Sequence, residues 1–186
     1  MPIVGLAAYL ASAMAAWVPM AEHAWVERAD VTSLRYASIA ETIASVVTEE
    51  PPVYDGDDAQ ARVRTALLLA ALASYESHYA ARVDDCRVSK GGALGLWQTV
   101  APRAKVCGDR ASAARVALAM IRQSWTECRA NAELDRLSFY TDGVCHPSWG
   151  RSRWRVGRGE RYWQRTPFIL ETAPETEAVA PTLAAR

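Results

Sequence analysis

The stretch Arg64–Tyr79 reads RTALLLAALASYESHY, and its apolar residues recur at helical spacing. Leu68, Leu72, Tyr75, Glu76 and Tyr79 fall three or four residues apart, which predicts one shared face on one long helix. Leu68 and Leu72 make that face the core side, so Glu76 is an acid at the edge of an apolar stripe. Burial disfavours the charged form of a carboxylate, and an acid so placed can keep a proton toward neutral pH and donate it. A glutamate that only hydrogen-bonds at the rim of a core leaves the same trace in the sequence. The helix alone does not separate the two readings.

Helical spacing extends over nearly the whole chain, with no convincing alternation of the strand type. Helices are expected at about 3–18, 31–47, 58–82, 112–128, 131–141 and 152–165. Asp57 with Gln60 reads as a capping box opening the third, and Ser112 as the cap of the fourth. Thr48 to Asp57, with Pro51, Pro52 and Gly56, reads as a linker. Residues 84–110 read as an ordered loop region with room for short strands. The fold class is therefore mainly α, with at most a very small sheet. Residues 169–186 hold Pro174 and Pro181 among scattered Glu, Thr and Ala, and read as a disordered tail.

The length of 186 residues suits one domain with a proper core. The formal net charge is zero, which argues against wholesale nucleic-acid binding. Charge is nevertheless segregated. Nine acids and two arginines precede residue 59, whereas Gly150 to Arg165 holds six arginines and one acid, Glu160. That arginine-rich end reads either as a site for an anionic polymer or as a solvated helix face. Cys86, Cys107, Cys128 and Cys145 include no CxxC pair, so no metal site is expected. Their even number fits two disulfides and an oxidising compartment, and four buried thiols are the alternative. Three pairings are open; Cys86 with Cys107 and Cys128 with Cys145 has the shortest loops. Pro2 to Val18 is apolar and small, yet no Lys or Arg precedes Arg28. It reads as a buried helix, with an atypical signal or anchor as the second reading.

Downstream of Glu76, Ser89 to Pro102 reads SKGGALGLWQTVAP. Gly91, Gly92 and Gly95 allow tight turns and a close backbone approach to a ligand. Gln98 supplies an amide for sugar hydroxyls or an acetamide, and Trp97 offers a flat apolar surface. Such a loop after a carboxylate-bearing helix would form one wall of a cleft.

Over residues 60–167 these segments resemble the lytic transglycosylases of the lysozyme superfamily, in the soluble lytic transglycosylase branch. Glu76-Ser77-His78-Tyr79 is similar to the family's Glu-Ser-x-aromatic motif. Ser89 to Gln98 is similar to Ser-x-x-Gly-Ala-x-Gly-Leu-Met-Gln, with Trp97 in place of Met. Phe139-Tyr140-Thr141-Asp142-Gly143 is similar to Ala-Tyr-Asn-Ala-Gly, with Thr141 and Asp142 as departures. Glu160-Arg161-Tyr162 resembles the last helix of the domain, where a Glu and a Tyr recur.

The resemblance implies a lysozyme-like domain at 58–168, with residues 1–57 as a helical extension that packs on it or docks it to a larger assembly. It implies Glu76 as a single catalytic acid/base that breaks a glycosidic bond of peptidoglycan and leaves a 1,6-anhydromuramic end, with no metal or cofactor. It places Ser89 and Tyr140 in hydrogen bonds around Glu76, and Gln98 against the acetylated sugar. Apart from the resemblance, Gly95 reads as a point of close backbone approach to the ligand, and Tyr75 and Tyr79, which flank Glu76, read as lining the sugar groove or as packing in the core. The implied partner is the glycan strand, met in the periplasm or wall, by an enzyme that is virion-associated, released on lysis or part of a cell-envelope assembly. A hydrolytic muramidase is the nearest alternative, with Asp84 or Asp85 as its second carboxylate. A non-catalytic virion or wall-binding protein is another.

Overall fold

The computed structural model describes residues 3–56, 58–89, 91–146 and 150–169. Eight α-helices occur among them: α1 (Leu6–Trp17), α2 (Ala29–Glu49), α3 (Ala59–Glu76), α4 (Ala81–Asp84), α5 (Arg103–Val106), α6 (Arg110–Glu127), α7 (Ser138–Asp142) and α8 (Arg151–Arg165). Single 3₁₀ turns stand at Met20–His23 and Glu133–Asp135. The fold is mainly helical, and the described residues contain one isolated antiparallel bridge, Leu94 with Thr99. The tail expected at 169–186 lies outside the described residues, apart from the exposed Ile169.

Helix α3 is the axis of the molecule. Every residue from Thr65 to Ser74 is buried, so the helix has no solvent face over that span. A helix apolar all round is a core helix, and RTALLLAALAS is nearly that. The expected amphipathic stripe is thus too narrow a description. Helices α1, α2, α6 and α8 all pack on α3. One continuous cluster joins Leu6, Leu10 and Met14 of α1, Ile39 and Ile43 of α2, Leu67–Leu69 and Leu72 of α3, and Leu118 and Ile121 of α6. The N-terminal helices therefore share the core with the rest of the chain. Gly159 of α8 lies against the Leu67 backbone, where a Cβ would come within 3.4 Å of its carbonyl carbon, so a side chain there would push α8 away from α3.

Three expected boundaries differ. Helix α3 opens on Asp58, whose carboxylate accepts from the Ala61 N–H at 2.7 Å, while Asp57 lies outside the described residues. Position 61 is alanine, so no side chain returns the bond that a capping box requires. Helix α6 opens on Asp109, which accepts from the Ala111 N–H at 2.9 Å, so Ser112 falls inside the helix. The helix expected at 131–141 is a 3₁₀ turn followed by the single turn of α7. Gly143 closes α7 at φ +74°, the left-handed position where glycine has no Cβ penalty.

Two disulfides are present, Cys86–Cys107 and Cys128–Cys145, the pairing with the shortest loops. Disulfides persist in oxidising compartments, so the protein fits a location outside the cytoplasm. No helix among the described residues is long and apolar enough to cross a membrane. The bridges span 21 and 17 residues. Closing loops of that size removes unfolded-state entropy worth about 3 kcal/mol each. Urea unfolding with and without reductant should show that loss, and an equal midpoint in both would refute it.

Candidate active site

Glu76 is the last residue of α3, and the chain reverses directly after it. His78 and Tyr79 both adopt left-handed backbone, at φ 50° and 54°. This conformation is disfavoured for residues with a Cβ, so other bonds must hold it. The Ser77 Oγ donates to the Ala73 carbonyl at 2.8 Å and accepts the Tyr79 N–H at 3.1 Å. The Tyr79 hydroxyl reaches back to the Ala70 carbonyl at 2.9 Å. From α2, Arg35 donates its Nε–H to the Tyr79 carbonyl at 2.8 Å and pairs with Glu27. The helix therefore ends at residue 76 and does not run on to 82. Tyr79 is fully buried and part of this lock, so of its two readings it takes core packing and not the sugar groove.

The glycine loop is bound to the same helix. Trp97 is buried and donates its indole N–H to the Leu69 carbonyl of α3 at 2.9 Å. Gly95 stands at φ +71°, and a Cβ there would come within 3.0 Å of the Val106 carbonyl. Its close backbone approach is thus to the chain itself, where a ligand was expected. Gln98, at φ 45°, donates its amide Nε2 to the Gly95 carbonyl at 2.9 Å. The amide oxygen remains as the end of Gln98 that can meet a ligand. Ser89 is exposed and makes no hydrogen bond to Glu76. Lys90 lies outside the described residues.

Tyr140 of α7 completes the cluster. Its hydroxyl donates to the Trp97 carbonyl at 2.7 Å and so joins the third motif to the second. The expected hydrogen bond from Tyr140 to Glu76 is replaced by this one. Glu76 is still close enough to act on Tyr140: burial, and then the Glu76 charge, push the phenol well above its ordinary value, with Arg155 opposing.

The partner of Glu76 is Arg155 of α8. Arg155 Nε and Nη2 lie 2.9 and 2.5 Å from the same oxygen, Glu76 Oε1. The two side chains are 22% and 13% exposed, so the pair is sheltered yet reachable from solvent. Arg158, one turn further along α8, donates to Ser74 Oγ at 2.7 Å and lies 3.9 Å from the centre of the Tyr75 ring. Neither arginine stands out in the sequence beyond its place in the arginine-rich end. The signal that could have found them is their helical spacing, which puts Arg155 and Arg158 on one side of α8.

Asp84, the candidate second carboxylate, is held elsewhere. It accepts from Arg110 Nε at 2.7 Å, and Arg110 also reaches Ser38 of α2. Burial pushes the Asp84 carboxyl upward, and Arg110 only partly offsets this. Asp85 is exposed and pairs with Arg87 at 3.2 Å. Among the described residues no group of three or more His, Cys, Asp or Glu side chains could hold a metal. Compared with family models, with characterised proteins and with solved structures, the chain gives no match.

Proposed function

We propose that the protein is a peptidoglycan-cleaving lytic transglycosylase with Glu76 as its single acid/base. The observation that carries this reading is that the three segments, residues 76–79, 89–98 and 139–143, are tied to one helix, the one that ends at Glu76. Trp97 of the second segment donates to the Leu69 carbonyl of α3, and Tyr140 of the third donates to the Trp97 carbonyl. Those bonds tie the glycine loop and α7 to the helix that ends at Glu76.

With one carboxylate the substrate must assist. The neutral glutamic acid protonates the leaving glycosidic oxygen. The N-acetyl group of the muramic acid stabilises the charge that develops at the anomeric carbon. The resulting carboxylate takes the proton of the 6-hydroxyl, whose oxygen closes the 1,6-anhydro ring. A hydrolytic muramidase of the two-carboxylate kind would use a second acid across the bond, for which Asp84 and Asp85, paired with Arg110 and Arg87, are the candidates. The compartment implied by the disulfides fits a wall substrate.

Digestion of purified sacculi followed by mass spectrometry distinguishes the two chemistries. The expected products end in anhydromuramic acid, 18 mass units (about one water) below the hydrolytic product. Reducing ends without anhydro products would replace the transglycosylase reading with the muramidase one.

A further inference from the structure

Arg155 is chemically at odds with a free proton donor. An oxygen that accepts two guanidinium N–H groups has no lone pair open to a proton, whereas a leaving oxygen is protonated by an O–H. Both Arg155 contacts fall on Glu76 Oε1. For Glu76 to act through that oxygen, the guanidinium has to leave it, and a sheltered guanidinium leaves one anion readily only for another.

The rest of α8 is arranged to bring such an anion. Arg155, Arg158, Arg161 and Arg165 recur every three or four residues and so follow one side of the helix, whereas Arg151, one turn earlier, pairs with Asp142 at 3.5 Å. Glu160, the one acid within α8, is directed to Arg64 at 3.1 Å. Past Arg158 a groove of about 370 Å³ opens between α1 and α8. Trp17, Arg158, Arg161, Tyr162 and Arg165 line it, together with small or neutral residues and no carboxylate. Arg158 connects this groove to Tyr75, the neighbour of Glu76.

We infer that Arg155 is a positioning and specificity residue: it holds Glu76 until an acidic group of the substrate, a lactyl or stem-peptide carboxylate guided along α8, takes its place. This rests on the reading of Glu76 given above. A neutral glycan lacks the competing group, so the arrangement selects acidic wall strands.

The test compares native sacculi with sacculi whose carboxyl groups have been coupled to methylamine, which removes the charge and keeps the strand. Wild type should cleave the native material about tenfold faster, the worth of one charge-assisted hydrogen bond. Arg155→Gln should slow cleavage of native sacculi and speed cleavage of amidated ones, so that the ratio falls to about one. A merely structural role would lower both rates together, and that result, or an unchanged ratio, overturns the inference. Binding supplies a second readout that needs no turnover. Glu76→Gln should sediment with native sacculi in preference to amidated ones, and the added Arg155→Gln should abolish the preference. A preference that survives overturns the inference as well. If wild type cleaves neither material, the reading of Glu76 itself falls; if it cleaves both and only the Arg155 effects are missing, that reading stands alone.

Discussion

Glu76→Gln is expected to lose roughly 10³- to 10⁴-fold of wall-cleaving activity, the upper range for a general acid/base, because one group serves both proton transfers. The substitution is nearly isosteric. An amide cannot donate a proton to the leaving oxygen or accept one from the 6-hydroxyl. Its oxygen can still accept from Arg155, which now has both N–H groups on Oε1. The pair is partly exposed, so the loss of charge should cost only about 1–2 kcal/mol of stability. The fold should therefore survive, as judged by circular dichroism and thermal melting. Activity is read by dye release from labelled sacculi and by clearing in a gel that contains them. A variant that clears the gel like wild type would remove Glu76 from the chemistry and leave a wall-binding protein as the better description.

The second large effect is expected at Trp97, and it falls on stability first. The side chain is buried against α3 and is among the largest in the core. Trp97→Ala should cost about 3–5 kcal/mol, from lost burial and from the cavity left behind. Within α3 the Leu69 carbonyl also serves the helix ladder, so loss of the indole donor does not orphan it. The cavity is therefore the larger part of the cost. Activity should fall too, because the Trp97 carbonyl anchors the Tyr140 hydroxyl beside Glu76. Trp97→Met is the informative partner. Methionine stands at this position in the motif that the loop resembles, and its flexible side chain fills irregular gaps. It should recover more than half of the lost stability and most of the activity. Chemical denaturation of the three proteins measures this. Equal stability of Trp97→Ala and wild type would mean that the loop is not held by its indole.

The two effects separate what the site does from what supports it. Glu76 carries the proposed chemistry at the partly exposed end of a helix that the core encloses from Thr65 to Ser74. Trp97 and Tyr140 fix the loop and α7 to that helix. Arg35 belongs to the same support, although it comes from the N-terminal helices, for which no motif could be assigned. By holding the Tyr79 carbonyl it stabilises the reversal that presents Glu76. Residues 3–56 are thus part of the scaffold of the site.

Much of this was legible in the residues. The run from Arg64 to Glu76 specifies a core helix because apolar side chains at every turn leave it no other place. The even number of cysteines, with the shortest loops closed, matches the two bridges. The glycines of the 91–95 segment mark a tight turn, since Gly91, Gly92 and Gly95 all take positive φ. These are local signals: periodicity, turn chemistry and loop length act over a few residues to about twenty, and a sequence displays them directly.

The environment of the carboxylate was decided by the tertiary structure. Helix α3 stops at Glu76 through the left-handed pair His78–Tyr79, a conformation that neither residue prefers. It persists because Arg35, 44 residues away in the chain, binds the Tyr79 carbonyl. Arg155 reaches Glu76 from 79 residues away. No spacing rule links such positions, because their meeting depends on how α2 and α8 pack on α3. The sequence by itself determined that residue 76 is a glutamate on a buried helix, followed by a glycine loop. Only packing decided where that helix stops and that the glutamate at its end is paired with Arg155.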